Sequence, residues 1–226
     1  MKKYELVLDA GEGSSKRYRI RALKAMKLSQ AAGEVYVKAG EWGGLVSGPD
    51  NLSQQGTCWI DSTSAVVGNA RVCDSAFIKD SSMVEGHAVV EHEAFVGQNS
   101  LISGSARIRN SAALSGVKVV DATIAGNSEI GFNANQSMAN KVMVVGSATK
   151  ILGRIQTVFG MVSPKPIDVV IGPDVTLEGH IILAGKVRLS GINLSAHPKR
   201  GLTIADAELS CDADYQDYLV RGFGYV

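Results

Sequence analysis

From residue 58 onward, small and aliphatic side chains recur in a fixed six-residue frame. A small residue, one free position and an aliphatic residue repeat as Cys58/Ile60, Ser64/Val66, Ala70/Val72, Ala76/Ile78, Ser82/Val84, Ala88/Val90, Ala94/Val96, Ser100/Ile102, Ala106/Ile108 and Ala112/Leu114. Residues two apart on a strand share a face. Each hexad therefore predicts a short strand with two inward side chains. Between the hexads lie Gly68-Asn69, Asp74-Ser75, Asp80-Ser81, Gly86-His87 and Asn110-Ser111. These residue types suit tight corners. A period of six is not helical, and β-branched residues and glycine fill the frame. Three hexads make a triangular coil, and stacked coils pair at about 4.8 Å. Such a repeat is the sequence mark of a solenoid. Burial of the aliphatic positions contributes roughly 15–30 kcal/mol before chain entropy is counted.

The frame shortens after Leu114. Val117/Val119 and Ala122/Ile124 follow at tighter steps, then Ser128/Ile130. Residues 131–168 read either as coils with bulged corners or as an external loop. The pattern resumes at Val169/Ile171, Val175/Leu177, Ile181/Leu183 and Val187/Leu189, then loosens through Ile192/Leu194, Leu202/Ile204 and Ala207/Leu209. Upstream, residues 4–8 and 17–23 flank a Gly- and Ser-rich turn, which predicts a β-hairpin. A solenoid end needs a cap, and this hairpin is the candidate. The expected division is a hairpin and capping segment over 1–57, a β-helix over 58–210 and a closing tail over 211–226.

The hexads, taken as Val72-Cys73-Asp74-Ser75-Ala76-Phe77 or Val84-Glu85-Gly86-His87-Ala88-Val89, resemble the hexapeptide repeat of left-handed β-helix proteins. Parallel crossovers are normally right-handed, so the left hand is an implication of the resemblance alone. The fold class it implies is all-β, a single-stranded left-handed parallel β-helix with an N-terminal β-hairpin cap. The lead-in is more specific. Lys38-Ala-Gly-Glu-Trp-Gly-Gly-Leu-Val46, then Asp50-Asn-Leu-Ser53, Gly56 and Cys58-Trp59-Ile60 are similar to the YdcK-type β-helix proteins of bacteria and their prophages. The similarity covers roughly residues 21–116. That group is labelled a transferase on the strength of its fold, so the motif marks a family and is nearly silent on chemistry.

Composition narrows the function classes. The chain has 226 residues and is 45% hydrophobic, enough for a sizeable core. Its 23 Lys and Arg nearly balance 22 Asp and Glu, so no basic footprint for nucleic acid is expected. The first 27 residues are locally basic, which reads as a solvated hairpin face. No apolar leader or membrane span is visible after Lys2 and Lys3. The three cysteines, Cys58, Cys73 and Cys211, form no C-x-x-C, which fits a reducing compartment and predicts neither a zinc site nor a redox motif. A cytoplasmic location in a bacterium or an infected bacterial host is expected.

Two functions compete. The first is acyl transfer. Hexapeptide-repeat enzymes of this type use acetyl-coenzyme A, form trimers and place a catalytic His between subunits. The resemblance points to His87 or His92 as a general base, with Glu85, Glu91 and Glu93 near in sequence. Against it, no long loop interrupts residues 58–114, and Lys199-Arg200 is the best available phosphate contact. His180 and His197 stand alone. The favoured reading is a non-catalytic, prophage-associated scaffold or binding module, a homo-oligomer and most plausibly a trimer, with no cofactor. In that reading both histidines are corner residues. Arg107, Arg109, Arg154 and Arg188 could flank an anion groove, although scattered solvated arginines are the plainer reading. A metal site from His87, Glu91, His92 and Glu93 is disfavoured, because successive corners lie on different edges of a prism. Trp42 within Gly40–Gly44 lacks a phosphate-loop spacing and is expected to cap the solenoid.

Overall fold

A computed structural model describes residues 2–13, 16–30, 33–131, 141–146, 149–158, 167–196 and 201–210. Those residues are almost entirely β, with a 3-10 turn at Pro49–Asn51. The strands of the repeat pair in parallel, each with the strand one coil on. Met83 and Val84 sit between Ala65 and Val66 on one side and Leu101 and Ile102 on the other. Phe77–Ile78 pairs Phe95–Val96, and Arg71–Val72 pairs Val89–Val90. These offsets of eighteen residues define three faces and are consistent with a β-helix.

The predicted inward set is the core. All twenty hexad side chains from Cys58 to Leu114 are at most 2% exposed. So are Val117, Val119, Ala122, Ile124, Ser128 and Ile130, so the shortened frame stays inside the coil. A polar ladder runs within this apolar stack. Ser82 N donates to Ser64 Oγ at 3.2 Å, Ser100 N to Ser82 Oγ at 3.3 Å, and Val117 N to Ser100 Oγ at 3.2 Å. Small hydroxyls at these slots thus satisfy backbone donors that the tight corners leave over.

The corners share one backbone device. Gly68, Asp74, Asp80, Gly86, His92, Gln98, Gly104, Asn110 and Gly116 all have positive φ, six residues apart. Asn, Asp, His and Gly enter this region most readily. Corner carboxylates also reach the next coil: Asp74 Oδ2 accepts from His92 N at 3.0 Å, and Asp61 Oδ2 from Asp80 N at 2.9 Å.

Within 131–168, strands Lys141–Val145 and Lys150–Val158 continue the coil, because Val117 pairs with Val142 and Thr123 with Lys150. Residues 132–140 and 159–166 lie outside the described residues, as does the tail beyond Ser210. Lys150–Val158 and Thr176–Ala184 each run through a corner, at Gly153 and Gly179. A Cβ on Gly153 would stand 2.6 Å from Gly179 O, so the two strands stack only without side chains there.

The cap is larger than the hairpin. β1 (Tyr4–Ala10) and β2 (Arg17–Ala22) pair antiparallel, and β2 pairs antiparallel with β5 (Trp42–Val46). β5 then pairs in parallel with Ala65–Val66, so the first face begins well before residue 58. A second hairpin, β3 (Met26–Gln30) with β4 (Gly33–Val37), was not foreseen from the sequence. The signal was there in the alternation of Met26 with Leu28 and Val35 with Val37. Trp42 does not cap the solenoid. It is 45% exposed beneath the Arg21 guanidinium at 5.4 Å. Gly43 and Gly44 make the close approach instead, where a Cβ would meet Ile20 and Ile60 side chains at 2.5 and 2.4 Å.

Candidate functional site

The two histidines that resemblance nominates sit on consecutive corners, and both are exposed. His92 occupies the positive-φ position of its corner. Its N–H is held by Asp74, and its carbonyl accepts from Ser75 N at 2.9 Å. His87 follows Gly86 and donates its backbone N–H to Gly104 O at 2.8 Å. Each position is therefore explained by corner geometry. His180 lies on strand Thr176–Ala184, with its buried Nε2 lacking a hydrogen-bond partner among the described residues. His197, Lys199 and Arg200 lie outside the described residues.

The four arginines do not form one groove. Arg188 is on the first face, where it holds Asp168 at 2.7 Å. Arg107 and Arg154 belong to the other large sheet, and Arg109 directly follows the strand Arg107–Ile108. The basic N-terminal hairpin is partly neutralised by its own acids, with Arg19 at 3.3 Å from Asp9 and Arg21 at 3.9 Å from Glu5. The lead-in motif is structural. Asn51 is 2% exposed and its side chain makes four hydrogen bonds: Oδ1 accepts from Ser47 N and Gly48 N, and Nδ2 donates to Gly68 O and Ala70 O. Leu52 bridges in parallel to Val72.

Two polar clusters escaped the reading of the sequence. One lies at the base of the coil. Lys3 is fully buried, and its Nζ donates to Cys58 O at 3.0 Å, Cys58 Sγ at 3.1 Å and Gln55 O at 3.2 Å. Burial lowers the pKa of Lys3 and raises that of Cys58. Beside it, the Tyr4 hydroxyl donates to Leu52 O, and burial pushes its pKa up to about 12. No hexad rule reveals this pairing, because Lys3 is 55 residues from Cys58.

The other cluster is on the third face. Donor atoms of Cys73, Asp74 and Glu91 all lie within 4.8 Å of one another. The backbone makes this happen. Cys73 N donates to Val90 O, which stacks Cys73 beneath Glu91 one coil on. Asp74 turns the corner next to Cys73 at φ 57. The Cys73 thiol is pushed up to about 11, first by burial and then by the Asp74 and Glu91 carboxylates. Among the described residues no side chain forms an ion pair with either carboxylate. Arg71, two residues before Cys73, lines a separate recess of about 200 Å³ with Ser47, Gly48, Asp50, Asn51, Gly68 and Asn69. Of the acids considered earlier as ligands, only Glu91 belongs to this cluster.

No known protein-family model matches the chain, and no curated protein matches it either. Among the described residues, no helix is long and apolar enough to cross a membrane.

Proposed function

We propose that the protein is a non-catalytic, left-handed β-helix scaffold that works as a rigid homo-oligomeric interaction module, prophage-associated and cytoplasmic. The observation that carries this reading is the first face. Its outward positions stack in register as Leu45, Ala65, Met83, Leu101, Lys118, Met143 and Val170. From Leu45 to Val170 this column is apolar except at Lys118, before it ends in Arg188 and Glu208, and Met83 is 40% and Met143 37% exposed. Stripes of this kind mark association surfaces, and closed symmetry is the common outcome, with a trimer favoured. The left hand and the prophage association rest on the hexapeptide and YdcK-type resemblances. Acyl transfer is the weaker reading, because corner backbone demands already account for His92 and His87.

The test is a thermal melt with and without millimolar acetyl-coenzyme A. An enzyme that binds this cofactor should melt several degrees higher. The scaffold reading expects no shift, and a saturable rise that disappears in His87→Ala or His92→Ala would overturn it.

A further inference from the structure

We propose that Cys73, Asp74 and Glu91 form a binding site for a divalent transition-metal ion, with zinc the best match among common cations. This site is independent of the scaffold reading. The donor set is one sulfur and two carboxylates, a mixture that suits zinc and does not suit magnesium or calcium. A tetrahedral ion with zinc–sulfur and zinc–oxygen bonds of about 2.3 and 2.1 Å needs donors roughly 3.3–3.7 Å apart. The three donors already lie within 4.8 Å. Rotation of the Glu91 side chain, which makes no hydrogen bond or ion pair, closes the remainder. Cys73 and Asp74 are fixed more firmly. Cys73 N–H donates to Val90 O on the next coil, and Asp74 Oδ2 accepts from His92 N–H.

Arg71 stands two residues before Cys73, and Cys73 N–H reaches Val90 O, so the thiol and the Glu91 carboxylate stack on adjacent coils. An ion held by three protein donors keeps one coordination position for water or an anionic ligand. The charge pattern agrees. Two carboxylates and a thiol crowd together, with Arg71 a cationic neighbour two residues before Cys73 and Arg109 one coil beyond Glu91. Neither arginine pairs with them. A bound cation therefore relieves repulsion that the fold otherwise sustains.

Cobalt(II) is the probe, because a thiolate ligand gives it a charge-transfer absorption that carboxylates do not. Titration of the full chain should show one equivalent bound with that absorption, displaced by zinc. Cys73→Ser should abolish the band, and Glu91→Gln should weaken binding at least tenfold, while Cys211→Ser leaves both unchanged. Unaltered far-ultraviolet dichroism would show that the surface variants keep the fold. A band that survives Cys73→Ser, a band lost in Cys211→Ser, or no saturable binding by the wild-type chain would each overturn the site.

Discussion

At the scale of single residues, backbone position decides more than side-chain chemistry. His92 resembles a catalytic base in isolation, yet its φ of 61° and its tie to Asp74 describe a corner. A β-branched residue enters that region at a cost of about 1–2 kcal/mol, whereas glycine enters freely. His92→Val is thus expected to lower the unfolding free energy by about that amount. His92→Gly should leave it within about 1 kcal/mol of wild type. Chemical denaturation of both variants checks this, and equal losses from both would mean that the imidazole itself matters. Tyr4 gives a pH dependence. Its folded pKa, about 12, is above the unfolded value of 10.0. The folded state therefore holds its proton longer, and this stabilisation is present below pH 10 and lost as pH rises through 12. The denaturation midpoint should fall across that window in wild type and fall less steeply in Tyr4→Phe.

At the scale of elements, the strands and corners of residues 58–114 were legible because one rule generates both. Inward pairs two apart and corner residues six apart leave little freedom, and every inward residue named is buried. Three things were hidden. The β3–β4 hairpin shares no period with the coil. The stacking of Cys73 under Glu91 appears only when residues are compared one full coil apart, not along the strand. The burial of Lys3 depends on where the N-terminus crosses the end of the coil, which local pattern does not encode. The insertion near 131–168 is partly explained. Its strands stay in register while the chain between them lengthens, and the Gly126, Gly153 and Gly179 corners lie directly over one another. Gly153→Ala should therefore destabilise by about 2–4 kcal/mol, because its Cβ meets backbone. Gly68→Ala should cost only about 1 kcal/mol, since its nearest neighbour stands at 3.5 Å and only the positive φ is strained. Thermal or denaturant unfolding separates the two, and equal costs would show that packing at the Gly153 corner relaxes.

At the scale of the whole molecule, the regularity that builds the core also distributes chemistry outward. Inward positions are consumed by packing, corners by backbone geometry, and the remaining positions form three unlike faces. The first carries the outward column from Leu45 to Val170, apolar except at Lys118. The second carries Trp59, Phe77 and Phe95 in register, with Trp59 and Phe77 almost fully buried although they point away from the coil interior. The third alternates arginines with the Cys73–Asp74–Glu91 cluster. The proposed scaffold function requires that the Leu45–Val170 column be covered by another copy. Sedimentation equilibrium of the intact chain tests this most directly. The expected result is a trimer of about 71 kDa, three times the 23.8 kDa chain mass, which dissociates in Met83→Glu with the fold intact. A wild-type protein that sediments at 23.8 kDa across the micromolar range would contradict it.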